Sequence, residues 1–188
     1  MSKAILIVDV QNDFTEGGAL GVDGGDAVAV RITDYLHASG DEYDFVIASR
    51  DWHDADNTNG GHFSATPDFV ETWPVHCVAG TPGAAYDPGI DTSLVDIHVR
   101  KGQGKPAYSA FEGTVGDGRG LAEVIDELEI TELDVVGIAT DYCVLQSALD
   151  ARRAGLTVRV LTKMIAGVAA QTSQQALEQM GRSGIDLV

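Results

Sequence analysis

Hydrophobic residues fall in short runs broken by polar turns. Ala4 to Val8 (AILIV), Phe45 to Ala48 (FVIA) and Leu133 to Ile138 (LDVVGI) are nearly continuous apolar stretches of strand length, as expected for strands covered on both faces of a parallel sheet. Val95 to Val99 (VDIHV) alternates, and Leu156 to Leu161 and Ile185 to Val188 bring the count of expected strands to six. Between them the period changes to that of a helix. Val28, Ile32, Tyr35 and Leu36 keep this spacing after Asp26, with Gly40 as a stop, and Leu121, Val124, Ile125 and Leu128 repeat it. Val144, Leu145, Ala148 and Leu149 form a third helical face, and Ser173 to Met180 a fourth with Ala176, Leu177 and Met180 inward. This alternation predicts an α/β fold of three layers, α/β/α, around a six-stranded, doubly wound, mostly parallel sheet. No break in composition divides residues 1–188, which read as one domain.

The pivotal stretch is Leu133 to Gly155, where strand passes into helix across Ala139-Thr140-Asp141-Tyr142. Thr140 or Asp141 can cap that helix, which puts Cys143 in its first turn, where free N–H groups and the helix dipole favour a thiolate. A lone cysteine is more often a small buried residue, so the other strand ends decide. The first apolar run stops at Asp9 and the alternating segment Val95 to Val99 is followed by Arg100 and Lys101. In open α/β sheets the carboxyl ends of strands form the ligand crevice, so one cleft can hold Asp9, Lys101 and Cys143. A base, a cation and a thiol held together suit nucleophilic acyl transfer, and N–H groups of the strand-to-helix turn can bind the oxyanion.

From Ser49 to about Ser93 the chain has no sustained periodicity and is rich in Gly and Pro, which in a compact domain marks a functional segment. It contains three of the five histidines, His53, His62 and His76, with Asp51 two residues before the first. One carboxylate and three imidazoles make a good divalent-metal set; three solvated loop histidines are the plainer alternative.

Charge narrows the partners. Twelve Lys plus Arg stand against twenty-nine Asp plus Glu, a formal net charge of -17, which argues against nucleic acid and anionic membrane surfaces and leaves small molecules or copies of the chain itself. Only four residues are Lys, a surface that a salt-loving organism would carry, although many ordinary cytosolic proteins are also acidic. With no signal-like or membrane-length apolar segment and two cysteines, the expected setting is a reducing cytoplasm with both thiols free.

The segments IVDVQNDF, RDWH, GHFS, TWPVHCVAGTPGA, RKG, AYSAFEG and GIATDYC match, in order, the motifs of the nicotinamidase/pyrazinamidase group of isochorismatase-like cysteine hydrolases. The chain resembles that group over nearly its whole length. The resemblance implies a triad of Asp9, Lys101 and Cys143 and a divalent ion, zinc, iron or manganese, on Asp51, His53, His62 and His76. It further implies oxyanion donors at Ala139 and Cys143 around a cis Ile138–Ala139 bond, a ring pocket lined by Phe14, Trp73 and Tyr108, and strand order 3-2-1-4-5-6. The implied reaction takes nicotinamide to nicotinate and ammonia, with pyrazinamide also accepted, and feeds NAD salvage. Tyr142, where some relatives carry histidine, and Lys105-Pro106 after Lys101 depart from the pattern.

Overall fold

A computed structural model describes residues 2–188. In chain order the elements are β1 (Ser2–Val8), α1 (Gly25–Ser39), β2 (Phe45–Asp51), β3 (Ile97–Lys101), α2 (Leu121–Glu127), β4 (Ile130–Ile138), α3 (Leu145–Arg153), β5 (Thr157–Ala166), α4 (Ala170–Arg182) and β6 (Asp186–Leu187). The strands form one sheet of order β3-β2-β1-β4-β5-β6 with every neighbouring pair parallel. Alternate side chains of a strand point to opposite faces, which explains why β1 is apolar throughout. Ile5 and Ile7 pack with Val28, Ala29, Ile32 and Leu36 of α1. Ala4, Leu6 and Val8 face the other way, into a core shared with Leu121 of α2, Ala148 of α3 and Met180 of α4. Each fully buried Ile or Leu contributes about 1.5–3 kcal/mol, so β1, sealed on both faces, anchors both layers.

From β1 the chain builds outward through β2 and β3, and from β4 through β5 and β6 in the opposite direction. The switch of direction lies between β1 and β4, and a crevice opens at their carboxyl ends. Close approach of these strands is secured by Gly137, whose φ is 113° and where a Cβ would stand 2.2 Å from the Val8 carbonyl oxygen.

Several boundaries differ from expectation for non-local reasons. β5 runs to Ala166, past the polar Thr162 and Lys163 that end its apolar run, because pairing with β4 resumes after an irregularity at Gly137↔Ile165. β3 starts and ends two residues later than the alternation indicated, so Lys101 is its last residue. The helix expected from Ser173 begins at Ala170. Its first turn is held by Asp141, whose carboxylate accepts from the N–H of Val168 (2.9 Å) and Ala169 (3.2 Å) and from Thr172 Oγ1 (2.5 Å). Asp141 is therefore committed to α4, and no side chain caps the turn that carries Cys143.

Candidate active site

Four strand ends converge on the crevice. Asp9 follows β1 in a left-handed conformation (φ 47°). Its Oδ1 accepts from Ser49 Oγ at 2.7 Å, and its Oδ2 lies 2.9 Å from Lys101 Nζ. Parallel pairing sets Asp51 beside Lys101 at the ends of β2 and β3, and the two form a short ion pair through Asp51 Oδ1. Lys101 Nζ also donates to the Ala107 carbonyl (3.1 Å) and stands 3.7 Å from Cys143 Sγ. Cys143 lies in a π-helical turn, Thr140–Val144, that joins β4 to α3 directly after a cis Ile138–Ala139 bond. The structure thus brings Asp9, Lys101 and Cys143 together, all buried.

Burial sets the protonation of this group, and the charges then correct it. It disfavours the Lys101 ammonium, yet Asp51, Asp9 and Cys143 more than restore it, so Lys101 stays charged far above neutral pH. Burial, reinforced by Asp51, outweighs Lys101 and leaves Asp9 a stronger base than an ordinary carboxylate. Burial likewise pushes the Cys143 thiol well above its ordinary range, because the pull of Lys101 is countered by two carboxylates. Burial and the two carboxylates therefore act against the resting thiolate expected from the first turn, and Asp9 stands beside the thiol as a base that can take its proton.

The histidines of the irregular segment meet beside this group. Potential ligand atoms of His53, His62 and His76 all lie within 4.8 Å of one another, with every ring buried. His53 Nδ1 is 2.8 Å from the Gly102 carbonyl and His76 Nδ1 2.8 Å from that of Pro74. A carbonyl only accepts, so both Nδ1 atoms carry the proton and both Nε2 atoms present lone pairs. Asp51 Oδ2 is 3.5 Å from His53 Nε2 and 3.8 Å from His76 Nε2, so this carboxylate gives one oxygen to Lys101 and turns the other toward the histidines. Burial, with neighbouring His53 and His76, lowers His62 to about 4. That ring is neutral and able to ligate at pH 7.

Above the thiol opens a cavity of about 270 Å³ lined by Phe14, Trp73, Tyr108, Ala139, Tyr142 and Cys143, with Asp51, His62 and His76 along one side. Asp9, Lys101 and His53 lie behind this lining. Trp73 Nε1 donates to Tyr108 Oη at 3.0 Å, and the Tyr142 ring stands edge-on to Trp73 with centroids 5.2 Å apart. The three expected ring contacts, Phe14, Trp73 and Tyr108, therefore share one wall system, and Tyr142 joins them. Three supporting groups were not singled out from sequence: Ser49, which orients Asp9; Gln11, which holds the Asp51 backbone on both sides (2.8 and 2.9 Å); and the Gly102 carbonyl. Of these, Gln11 and Ser49 left a signal, as polar residues where the first and second apolar runs end. Cys77, the second of the two thiols expected to be free, is free and buried.

The isochorismatase domain family matches residues 3–188. A nicotinamidase/pyrazinamidase of Mycobacterium tuberculosis is 49% identical over 186 residues, covering 99% of this chain and 98% of its own length. An Escherichia coli nicotinamidase is 36% identical, with 98% and 93% covered. Among solved structures, the Pyrococcus horikoshii pyrazinamidase in complex with zinc superposes with a TM-score of 0.84 at 32% identity, covering 100% and 99%. PnC1 from L. infantum in complex with nicotinate superposes with a TM-score of 0.85 at 30% identity, covering 100% and 92%.

Proposed function

The chain belongs to the isochorismatase family, and from that premise we propose that it hydrolyses nicotinamide to nicotinate and ammonia, with pyrazinamide as a second substrate. The observation that carries this reading is Lys101 Nζ, which reaches Asp9, Asp51 and Cys143 at once. Asp9 takes the thiol proton as Cys143 Sγ attacks the carboxamide carbon, and the oxyanion is received by the N–H groups of Ala139 and Cys143. Collapse of the tetrahedral adduct breaks the C–N bond, with Asp9 returning the proton to the departing ammonia. The resulting thioester is attacked by water, Asp9 again accepting a proton, and nicotinate leaves as the thiol is restored. Lys101 holds Asp9 in position and balances the charge that moves between carboxylate and sulfur.

Asp51, His53, His62 and His76 fit one divalent ion of borderline character, zinc, iron or manganese. Their donors are buried and convergent, and His53 Nε2 has no hydrogen-bond partner. When bound, such an ion supplies a Lewis-acid position for an aromatic ring nitrogen. Phe14, Trp73 and Tyr108 then hold the flat ring. No helix among the described residues is long and apolar enough to cross a membrane. With free thiols and a charge of -17, we place the reaction in the cytoplasm, in NAD salvage, with a small-molecule substrate and no partner other than further copies of the chain.

The test is ammonia release from nicotinamide, pyrazinamide and benzamide, with acid-quenched mass spectrometry of Cys143. A nicotinoyl adduct on Cys143 and turnover of the first two amides, with benzamide poor for want of the ring nitrogen, is the expected result. Ammonia release by Cys143→Ala at the parent's rate would sink the thioester.

A further inference from the structure

Phe69 is an anomaly that the mechanism leaves unused. It is a large aromatic that remains 55% exposed, and its φ of 58° lies in the left-handed region, where a bulky side chain is a backbone outlier. Outliers of this kind persist where surrounding contacts impose them, and they gather at ligand clamps. Here the contacts are those of Asp68. Its Oδ1 accepts from the N–H groups of Val70 (3.0 Å), Glu71 (2.9 Å) and Thr72 (2.9 Å) and from Thr72 Oγ1 (3.0 Å). The Phe69 N–H closes the turn on the Thr72 carbonyl at 3.1 Å. So fixed, the ring meets Trp73 edge-on, with centroids 6.3 Å apart, and lines the same cavity as Cys143. Val168, another exposed hydrophobic residue, lines it as well. Cys143 and Ala139 are buried while Phe69 and Val168 are open to solvent, which puts the latter pair at the mouth.

We propose that Phe69, presented by the Asp68 turn, is a specificity-determining wall that closes the ring pocket against substituents on the substrate edge farthest from the carboxamide. The proposal rests on the carboxamide-hydrolase reading above. A carboxamide carbon seated at Cys143, with the ring nitrogen turned to the His62 and His76 side, leaves the C5–C6 edge facing the mouth, so a 5-methyl group on nicotinamide meets Phe69. One methyl group in a shaped apolar pocket changes selectivity by about tenfold or more.

The experiment compares kcat/KM for nicotinamide and 5-methylnicotinamide in the parent and in Phe69→Ala, Phe69→Tyr and Asp68→Ala. In Phe69→Ala the preference for nicotinamide should fall by about tenfold, through a lower KM for the methylated amide. Phe69→Tyr should keep the parent's preference, and Asp68→Ala, which frees the turn but keeps the ring, should fall between. An unchanged preference in Phe69→Ala, with nicotinamide still hydrolysed, overturns the proposal alone. Proportional loss on both substrates with a lowered melting temperature overturns it too, by showing a structural role. A parent that releases no ammonia from nicotinamide removes the carboxamide reading and this proposal with it.

Discussion

Gly102→Ala tests whether the His53 ring is held where a metal needs it. Gly102 has φ 84°, and a Cβ there would stand 2.5 Å from His53 Cε1 and 2.8 Å from Nδ1. Ordinary contact begins at 3.4 Å, so the ring or the loop must move by roughly 0.9 Å. His53 has little room to yield, since it is fully buried with Phe63, His62 and His76 at centroid distances of 5.0, 4.9 and 4.9 Å. Metal–ligand distances tolerate about 0.2 Å, several times less than this displacement. The substitution also strains the Nδ1–H bond to the Gly102 carbonyl that orients the ring. Loss of such a supporting contact costs about 10–100-fold in metal affinity, and the larger figure is expected here because the ligand itself is pushed. The left-handed backbone adds about 1–2 kcal/mol of instability, or a melting temperature lower by about 2–8 °C for a domain of this size. Zinc affinity by chelator competition, read beside thermal melts, is the assay. Gly104→Ala is the control: Gly104 has φ 69° in the same loop, but its Cβ would meet only Asp54 Oδ2, at 3.3 Å. That variant should lose stability and keep its affinity. If Gly102→Ala bound zinc within about twofold of the parent, the claim that this glycine positions a ligand would be wrong.

Three further outcomes are expected. Asp9→Asn should fold and keep its metal but lose ammonia release by at least about a hundredfold, since an amide cannot take the Cys143 proton; turnover near the parent's would remove Asp9 as the base. Arg159→Met strands the buried Asp134 carboxylate, which now accepts from Arg159 Nε (2.7 Å) and Nη2 (2.5 Å) and from Tyr43 Oη (2.6 Å). Burial raises the Asp134 carboxyl, but Arg159, Tyr43 and Lys3 together hold it below the ordinary range, so its contribution is complete above about pH 4 and fades as pH falls through the folded value. With Arg159 38% exposed, the deficit in urea unfolding at pH 7 should be about 2 kcal/mol, less than for a fully buried pair, and should shrink on acidification; a deficit that grows toward low pH would contradict this. Finally, a net charge of -17 should make the melting temperature rise by several degrees between dilute buffer and about 1 M potassium chloride, where the screening length is about 3 Å; an unmoved melt would remove self-repulsion as a factor.

The sheet was legible because each central strand is a run of apolar residues ended by a polar one, and Asp9, Lys101 and Cys143 stood out because they sit at or just beyond such ends. The histidines were legible through their crowding in a segment without period. What local pattern could not show is which distant atom each residue meets. Asp141 looked like the cap of the adjacent helix, yet it serves α4, twenty-eight residues further on at Ala169. Position in a first turn argued for a thiolate at Cys143, but burial raises the thiol, and Asp9 and Asp51, brought in from other strands, counter the pull of Lys101. Phe69 gave no sign at all, since neither a helical nor a strand period runs through the turn that displays it.

These long-range contacts also explain why the histidine cluster and Cys143 occupy one site rather than two neighbouring ones. Asp51 offers one carboxylate oxygen to Lys101 and the other to His53 and His76. Burial would raise the Asp51 carboxyl, but the Lys101 ammonium brings it well below the ordinary range, so it is an anion on both sides. Lys101 in turn divides its charge between Asp51 and Asp9. A change at the histidines is therefore felt by Asp9 through one shared ammonium, with no moving part between them. Arg at position 101 would keep the charge but not this geometry: a planar fork cannot replace a compact ammonium that meets Asp9, Asp51, the Ala107 carbonyl and Cys143 Sγ within 3.7 Å. The requirement for lysine follows from that four-way contact in a fully buried position, where an uncompensated carboxylate on either side would be costly.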